Sequence, residues 1–134
     1  MSLMINILLV DDVEYSRELL RAALVGCMRE HEVKIEANFF HSSTGKLIPE
    51  QIVQNSIDLV YLDIELHNIS GLEVLKEIRK AEPNIMVVMV SGESSAQNVT
   101  TAIETGANGF IVKPFNSGRI LNSLQNYVKK AGKR

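Results

Sequence analysis

Four short apolar runs limit what this chain can become: INILLV at 5–10, DLVYL at 58–62, IMVVMV at 85–90 and GFIV at 109–112. Each has the length of a strand and is apolar at successive rather than alternate positions, so both of its faces must be covered. A parallel sheet between two helical layers meets that demand. At 33–39 the pattern changes: Val33, Ile35, Ala37 and Phe39 alternate with Lys34, Glu36 and Asn38, which predicts an edge strand.

Helical spacing fills the intervals. Leu20, Ala23, Leu24 and Cys27 share one face; so do Leu72, Leu75 and Ile78, then Val99, Ala102 and Ile103, then Leu121, Leu124 and Val128. The stretch 48–55 carries only Ile48 and Ile52, with Pro49 suited to a first helical turn. Ser70 with Glu73 and Ser94 with Gln97 fit capping boxes, and Asp12 and Ser117 are candidate caps. Five βα repeats with right-handed crossovers predict a doubly wound α/β fold, (βα)5 and flavodoxin-like, with helices on both faces. If 33–39 is the edge, the strand order is 2-1-3-4-5 and ligands bind above the carboxyl ends of the strands.

A chain of 134 residues fits one domain, here 4–131, with 1–3 read as a cloning remnant and 132–134 as a frayed tail. Fourteen basic against sixteen acidic residues leave a net charge of −2, too little positive charge for direct nucleic-acid binding. The single Cys27 forms no internal disulfide, and paired zinc ligands are missing, so a reducing, cytoplasmic setting is expected. Neither a signal segment nor an apolar run of membrane-spanning length is present, so no membrane partner is expected.

The residues that follow each strand carry the chemistry. Asp11 and Asp12 follow the first, Asp63 and Glu65 the third, Ser91 and Gly92 the fourth, and Lys113-Pro114-Phe115 the fifth. Each alone has a plain structural reading: an N-cap, a turn residue, a loop dipeptide, a solvated lysine. Together they place several carboxylates, an ammonium and a hydroxyl at one sheet edge. Carboxylates that close need a counter-ion, and a hard divalent cation with oxygen ligands is the economical one.

The combination LLVDD at 8–12, LVYLDIEL at 59–66, LEVLKEIR at 72–79, VSGES at 90–94 and GANGFIVKPF at 106–115 resembles a response-regulator receiver domain of the CheY-like type. The resemblance spans essentially the whole chain. It implies a two-component or phosphorelay phosphoacceptor that takes a phosphoryl group from a sensor histidine kinase or phosphotransfer domain. Such a domain is not a true enzyme, since it catalyses only its own phosphorylation and dephosphorylation. Asp63 is then the acceptor, and Mg²⁺, with Mn²⁺ as an alternative, is held by Asp12, Asp63 and the Glu65 backbone carbonyl, and by Asp11 through water. Lys113 adds positive charge, Ser91 a hydroxyl donor and Gly92 an N–H. Ser91 and Phe110 match the family's switch pair, and the α4-β5-α5 face, roughly 95–131, its surface for a downstream target, an output domain or a phosphorylation-dependent homodimer. A cis Lys113–Pro114 bond is implied as well, though the sequence leaves the isomer open.

Glu65 and Glu93 would flank the acyl phosphate and alter its lifetime. His67 replaces a proline common in relatives and reads as a loop residue. Three other readings compete. A flavin or nucleotide module lacks its glycine-rich loop. A Mg²⁺-dependent aspartyl-phosphate phosphohydrolase lacks a second aspartate close after Asp63 and has no room for a cap. A pseudo-receiver serving as a protein-binding scaffold leaves the filled acceptor, metal and lysine positions to coincidence.

Overall fold

The structure, a computed structural model, describes residues 2–92 and 96–132. Five strands and five helices alternate: β1 (Leu3–Val10), α1 (Glu14–Glu30), β2 (Ile35–Ser42), α2 (Ile48–Gln54), β3 (Leu59–Asp63), α3 (Gly71–Ala81), β4 (Met86–Ser91), α4 (Ala96–Thr105), β5 (Gly109–Val112) and α5 (Ser117–Ala131). All strand pairs are parallel and the order is β2-β1-β3-β4-β5, as the edge reading of the second strand requires.

The twofold alternation of side chains divides the apolar runs between two cores. Ile7 and Leu9 of β1, Tyr61 of β3, and Val88 and Val90 of β4 face α1 and α5, where Leu20, Leu24, Ile120 and Leu124 meet them. Leu8 and Val10, Val60 and Leu62, and Val87 and Met89 point the other way, onto Ile48 and Ile52 of α2, Val74, Leu75 and Ile78 of α3, and Ala102 of α4. Tyr61 spends its polar end inside: its hydroxyl lies 2.7 Å from Ser123 Oγ, which in turn donates to the Ile120 carbonyl.

Several boundaries differ from the sequence reading. Leu3, set aside with 1–3, opens β1: it pairs with Ile35, and its N–H donates to the Lys34 carbonyl. The edge strand begins at Ile35 because the Val33 N–H closes the end of α1 on the Met28 carbonyl, after a left-handed Glu32 at φ 51°. Gly132, assigned to a frayed tail, caps α5 through its N–H to the Val128 carbonyl. Met1, Lys133, Arg134 and the Ser94 half of the second capping box lie outside the described residues.

Two helix caps differ from the sequence reading as well. Val13, not Asp12, is the N-cap of α1, and Asn116, not Ser117, caps α5, its Oδ1 accepting from Gly118 and Arg119. Ser70 caps α3 through Leu72 N–H, but Glu73 pairs with Lys76, so the box does not close. Arg79 at the end of α3 ties three segments together, donating to the Gly106 carbonyl (2.8 Å), the Ile85 carbonyl (2.7 Å) and Asn108 Oδ1 (2.7 Å).

Candidate functional site

Because all five strands run the same way, their carboxyl ends share one edge, and the backbone ladder carries the reactive residues into register there. Asp11 N–H continues the β1–β2 ladder to the Ser42 carbonyl, Ile64 N–H reaches the Val90 carbonyl, and Lys113 N–H reaches the Ser91 carbonyl. Asp63 and Ser91 are the last residues of β3 and β4, only 4% and 0% exposed. Gly71 lets the loop after β3 fold back closely: a Cβ there would stand 2.1 Å from the Asp63 carbonyl oxygen.

Asp11, Asp12 and Asp63 each offer a carboxylate oxygen within 4.8 Å of the others. Lys113 Nζ sits among them, 2.9 Å from Asp11 Oδ2 and 3.2 Å from Asp63 Oδ2. The ammonium does not balance the cluster. Burial and the neighbouring Asp11 charge push Asp63 up to about 6, against the pull of Lys113 and the Glu65 N–H. Burial also acts on Asp11, but the Val13 N–H, Lys113 and Ser16 outweigh it and hold that carboxyl below its ordinary value. For Lys113, burial is outweighed by Asp11 and Asp63, and its pKa rises. An oxygen-only set of three crowded carboxylates, one of them reluctant to ionise, fits a hard divalent cation.

Ser91 and Gly92 stand beside this cluster, and their donors meet a carboxylate. Ser91 Oγ donates to Glu65 Oε2 at 2.7 Å, and Gly92 N–H to Glu65 Oε1 at 2.8 Å. The structure therefore gathers Asp11, Asp12, Asp63, Lys113, Ser91, Gly92 and Glu65 at one edge, as the strand-end argument requires. Phe110 is apart from them, half-buried on β5 beside a cavity of about 320 Å³ that Val99, Val112, Pro114 and Arg119 also line. Glu93 lies outside the described residues. The Lys113–Pro114 peptide is cis.

Two side chains at the site were not assigned to it from the sequence. His67, read as a loop residue, sets its Nδ1 against Asp12 Oδ2. Arg17 donates to the Asp11 carbonyl through Nη1 and lies 3.3 Å from His41 Nδ1 through Nε. Arg17 is six residues beyond Asp11, on the helix that Asp11 leads into, and that spacing was the available signal. His67 had none, because its direction depends on the path of the loop.

Comparison with known proteins agrees with this arrangement. Residues 7–125 match the family model described as the response regulator receiver domain. The chain is similar to the chemotaxis protein CheY of Bacillus subtilis, at 34% identity over 119 residues, covering 89% of this chain and 93% of the relative. CheY of Thermotoga maritima is 31% identical over 124 residues, covering 92% and 98%. In fold, a receiver domain protein from Clostridium thermocellum superposes with a TM-score of 0.80 at 21% identity, covering 96% of this chain and 98% of that one. A CheY-like receiver from Methanospirillum hungatei gives 0.72 at 23% identity, covering 97% and 98%. Among the described residues no helix is long and apolar enough to cross a membrane. With strand order, strand-end chemistry and family match in agreement, the chain belongs to the response regulator receiver domains, the CheY-like signalling modules of two-component systems.

Proposed function

We propose that this receiver accepts a phosphoryl group on Asp63 from the phosphohistidine of a sensor histidine kinase or phosphotransfer domain, in the cytoplasm, with Mg²⁺ as cofactor. One observation carries the reading: the nearly buried Asp63 carboxylate stands within 4.8 Å of carboxylate oxygens of Asp11 and Asp12, and the Lys113 ammonium bridges it to Asp11, at the carboxyl edge of the sheet. Asp63 is the nucleophile. One of its oxygens forms a bond to phosphorus as the P–N bond of the donor breaks, and the electron pair leaves on the imidazole nitrogen. Asp11, Asp12, Asp63 and the Glu65 carbonyl would hold Mg²⁺, which when bound supplies positive charge against the carboxylates and the phosphoryl oxygens. Lys113, already on Asp63, follows a phosphoryl oxygen as a flexible point donor. Ser91 Oγ–H and Gly92 N–H provide two further donors at fixed places on β4 and just after it. Ser91 and Phe110 then relay the change to the α4-β5-α5 face, where a downstream target, an output domain or a second copy would bind.

Incubation with phosphoramidate, a small P–N donor, followed by intact-mass measurement tests this. A single phosphoryl adduct that needs Mg²⁺ and is lost in Asp63→Asn is expected. An adduct that persists in Asp63→Asn overturns the assignment of the acceptor.

A further inference from the structure

The two donors that would receive the phosphoryl oxygens already have an anionic guest. Glu65 Oε2 accepts from Ser91 Oγ at 2.7 Å and Glu65 Oε1 from Gly92 N–H at 2.8 Å, so one carboxylate spans both donors in a bidentate grip. The third donor, Lys113 Nζ, is occupied by Asp11 and Asp63. A carboxylate presents two oxygens on one carbon, much as a phosphoryl group presents its oxygens on phosphorus. Hydrogen bonds to an ionised acceptor are the stronger kind. The backbone explains how Glu65 arrives there. Its N–H is drawn to Asp63 Oδ1 at 3.2 Å and Ile64 N–H is fixed on the Val90 carbonyl, which holds the start of the loop against the end of β4. The side chain remains solvent-exposed, so the grip can open without disturbing the core.

We infer that Glu65 is an internal competitor of the phosphoryl group: its carboxylate occupies the Ser91 and Gly92 donors in the resting domain and must be displaced when Asp63 is phosphorylated. The inference rests on the phosphoacceptor reading and adds a positioning residue to it. Glu65 holds the Ser91 hydroxyl in place through its own oxygen, and it sets a threshold that an incoming phosphoryl group or its analogue must exceed. The threshold belongs to the reach of the side chain as well as to its charge. Asp at this position keeps the charge but is one methylene shorter, so its carboxylate falls about 1.5 Å short of the same donors. Gln keeps an oxygen for Ser91 but offers Gly92 N–H no second acceptor and carries no charge.

The test compares wild type, Glu65→Asp, Glu65→Gln and Glu65→Ala in two measurements. The first is beryllofluoride binding in the presence of Mg²⁺, followed by calorimetry. Loss of two charge-assisted bonds at an exposed site predicts binding roughly five- to thirtyfold tighter in Glu65→Ala than in wild type. Glu65→Asp and Glu65→Gln fall between. The second is hydrogen exchange of the Gly92 amide without metal or beryllofluoride, expected severalfold slower in wild type than in Glu65→Ala. Equal beryllofluoride binding by all four proteins overturns this inference and leaves the phosphoacceptor reading intact. So does Glu65→Asp binding as weakly as wild type while Glu65→Gln matches Glu65→Ala, which would make the effect one of charge alone. Equal Gly92 exchange in wild type and Glu65→Ala also overturns it. No binding by any of the four overturns the phosphoacceptor reading and this inference together.

Discussion

Asp63 is ionised at a cost, and removing its charge is expected to stabilise the metal-free domain. Its carboxyl rises from an ordinary 3.8 to about 6 through burial and the Asp11 charge. Two pKa units correspond to about 3 kcal/mol held against the folded state once the pH is well above 6. The native state binds more protons than the unfolded chain between about pH 4 and 6, so stability from this group falls as pH rises through that window. Asp11 has the opposite sign: its pKa is lowered, so its contribution is present above 3.8 and lost as pH falls below it. The two windows are separate. Asp63→Asn replaces the carboxylate by a neutral isostere. The rise to about 6 is already net of the attraction of Lys113 at 3.2 Å, so about 3 kcal/mol is the upper bound, and an amide that satisfies its surroundings less well than a carboxyl leaves a gain of ~1–3 kcal/mol. In a chain of this length that is a rise in Tm of roughly 3–10 °C. Thermal melts in EDTA from pH 4 to 8 should show wild type losing Tm relative to Asp63→Asn as the pH rises from about 4 to 6, with the gap level above that window and the curves converging toward pH 4. Added Mg²⁺ should restore wild type and leave the variant nearly unchanged. A variant no more stable than wild type at pH 8 in EDTA would refute the electrostatic argument.

Gly71→Ala drives a Cβ to 2.1 Å from the Asp63 carbonyl oxygen and 2.7 Å from Ile64 Cα, both backbone atoms that cannot rotate away. Urea unfolding should show a loss at or above the upper end of the ~1–3 kcal/mol typical of overpacking, and a loss below about 1 kcal/mol would contradict it. In the buried chain from Tyr61 hydroxyl to Ser123 Oγ to the Ile120 carbonyl, Ser123→Ala strands the phenol and should cost about 1–3 kcal/mol, whereas Tyr61→Phe should cost about 1 kcal/mol. The reverse order in denaturant melts would show that the phenol finds another partner. Arg79→Lys cannot reproduce a fork that reaches Gly106, Ile85 and Asn108 at once. It should raise hydrogen exchange at Val87, whose N–H rests on Asn108 Oδ1, and unchanged protection there would count against the clamp.

The fold was legible because each apolar run is apolar on both faces, and that property survives in the linear sequence without knowledge of neighbours. Leu8 and Leu9 are successive residues serving opposite cores. The site followed from topology: once the strands are parallel, whatever follows Val10, Leu62, Val90 and Val112 must meet. Boundaries were harder, since Val33 fits a strand by alternation and is taken by the end of α1 through a hydrogen bond that no local pattern announces. Caps failed for a related reason. Asn116 and Ser117 are adjacent and equally suited, and the extended backbone of Asn116, at φ −94° and ψ 127°, decides between them. The grip of Glu65 on Ser91 and Gly92 and the contact of His67 with Asp12 depend on loop paths between elements, and spacing carries no information on which way such side chains turn.

The most direct test of the phosphoacceptor assignment locates the covalent bond itself. After incubation with acetyl phosphate and Mg²⁺, borohydride reduction converts an aspartyl phosphate to homoserine, which peptide mass spectrometry assigns to a residue. Homoserine is expected at position 63 alone, and is lost when Mg²⁺ is withheld. Homoserine at Asp11 or Asp12, or a stable adduct on Ser91, would contradict it.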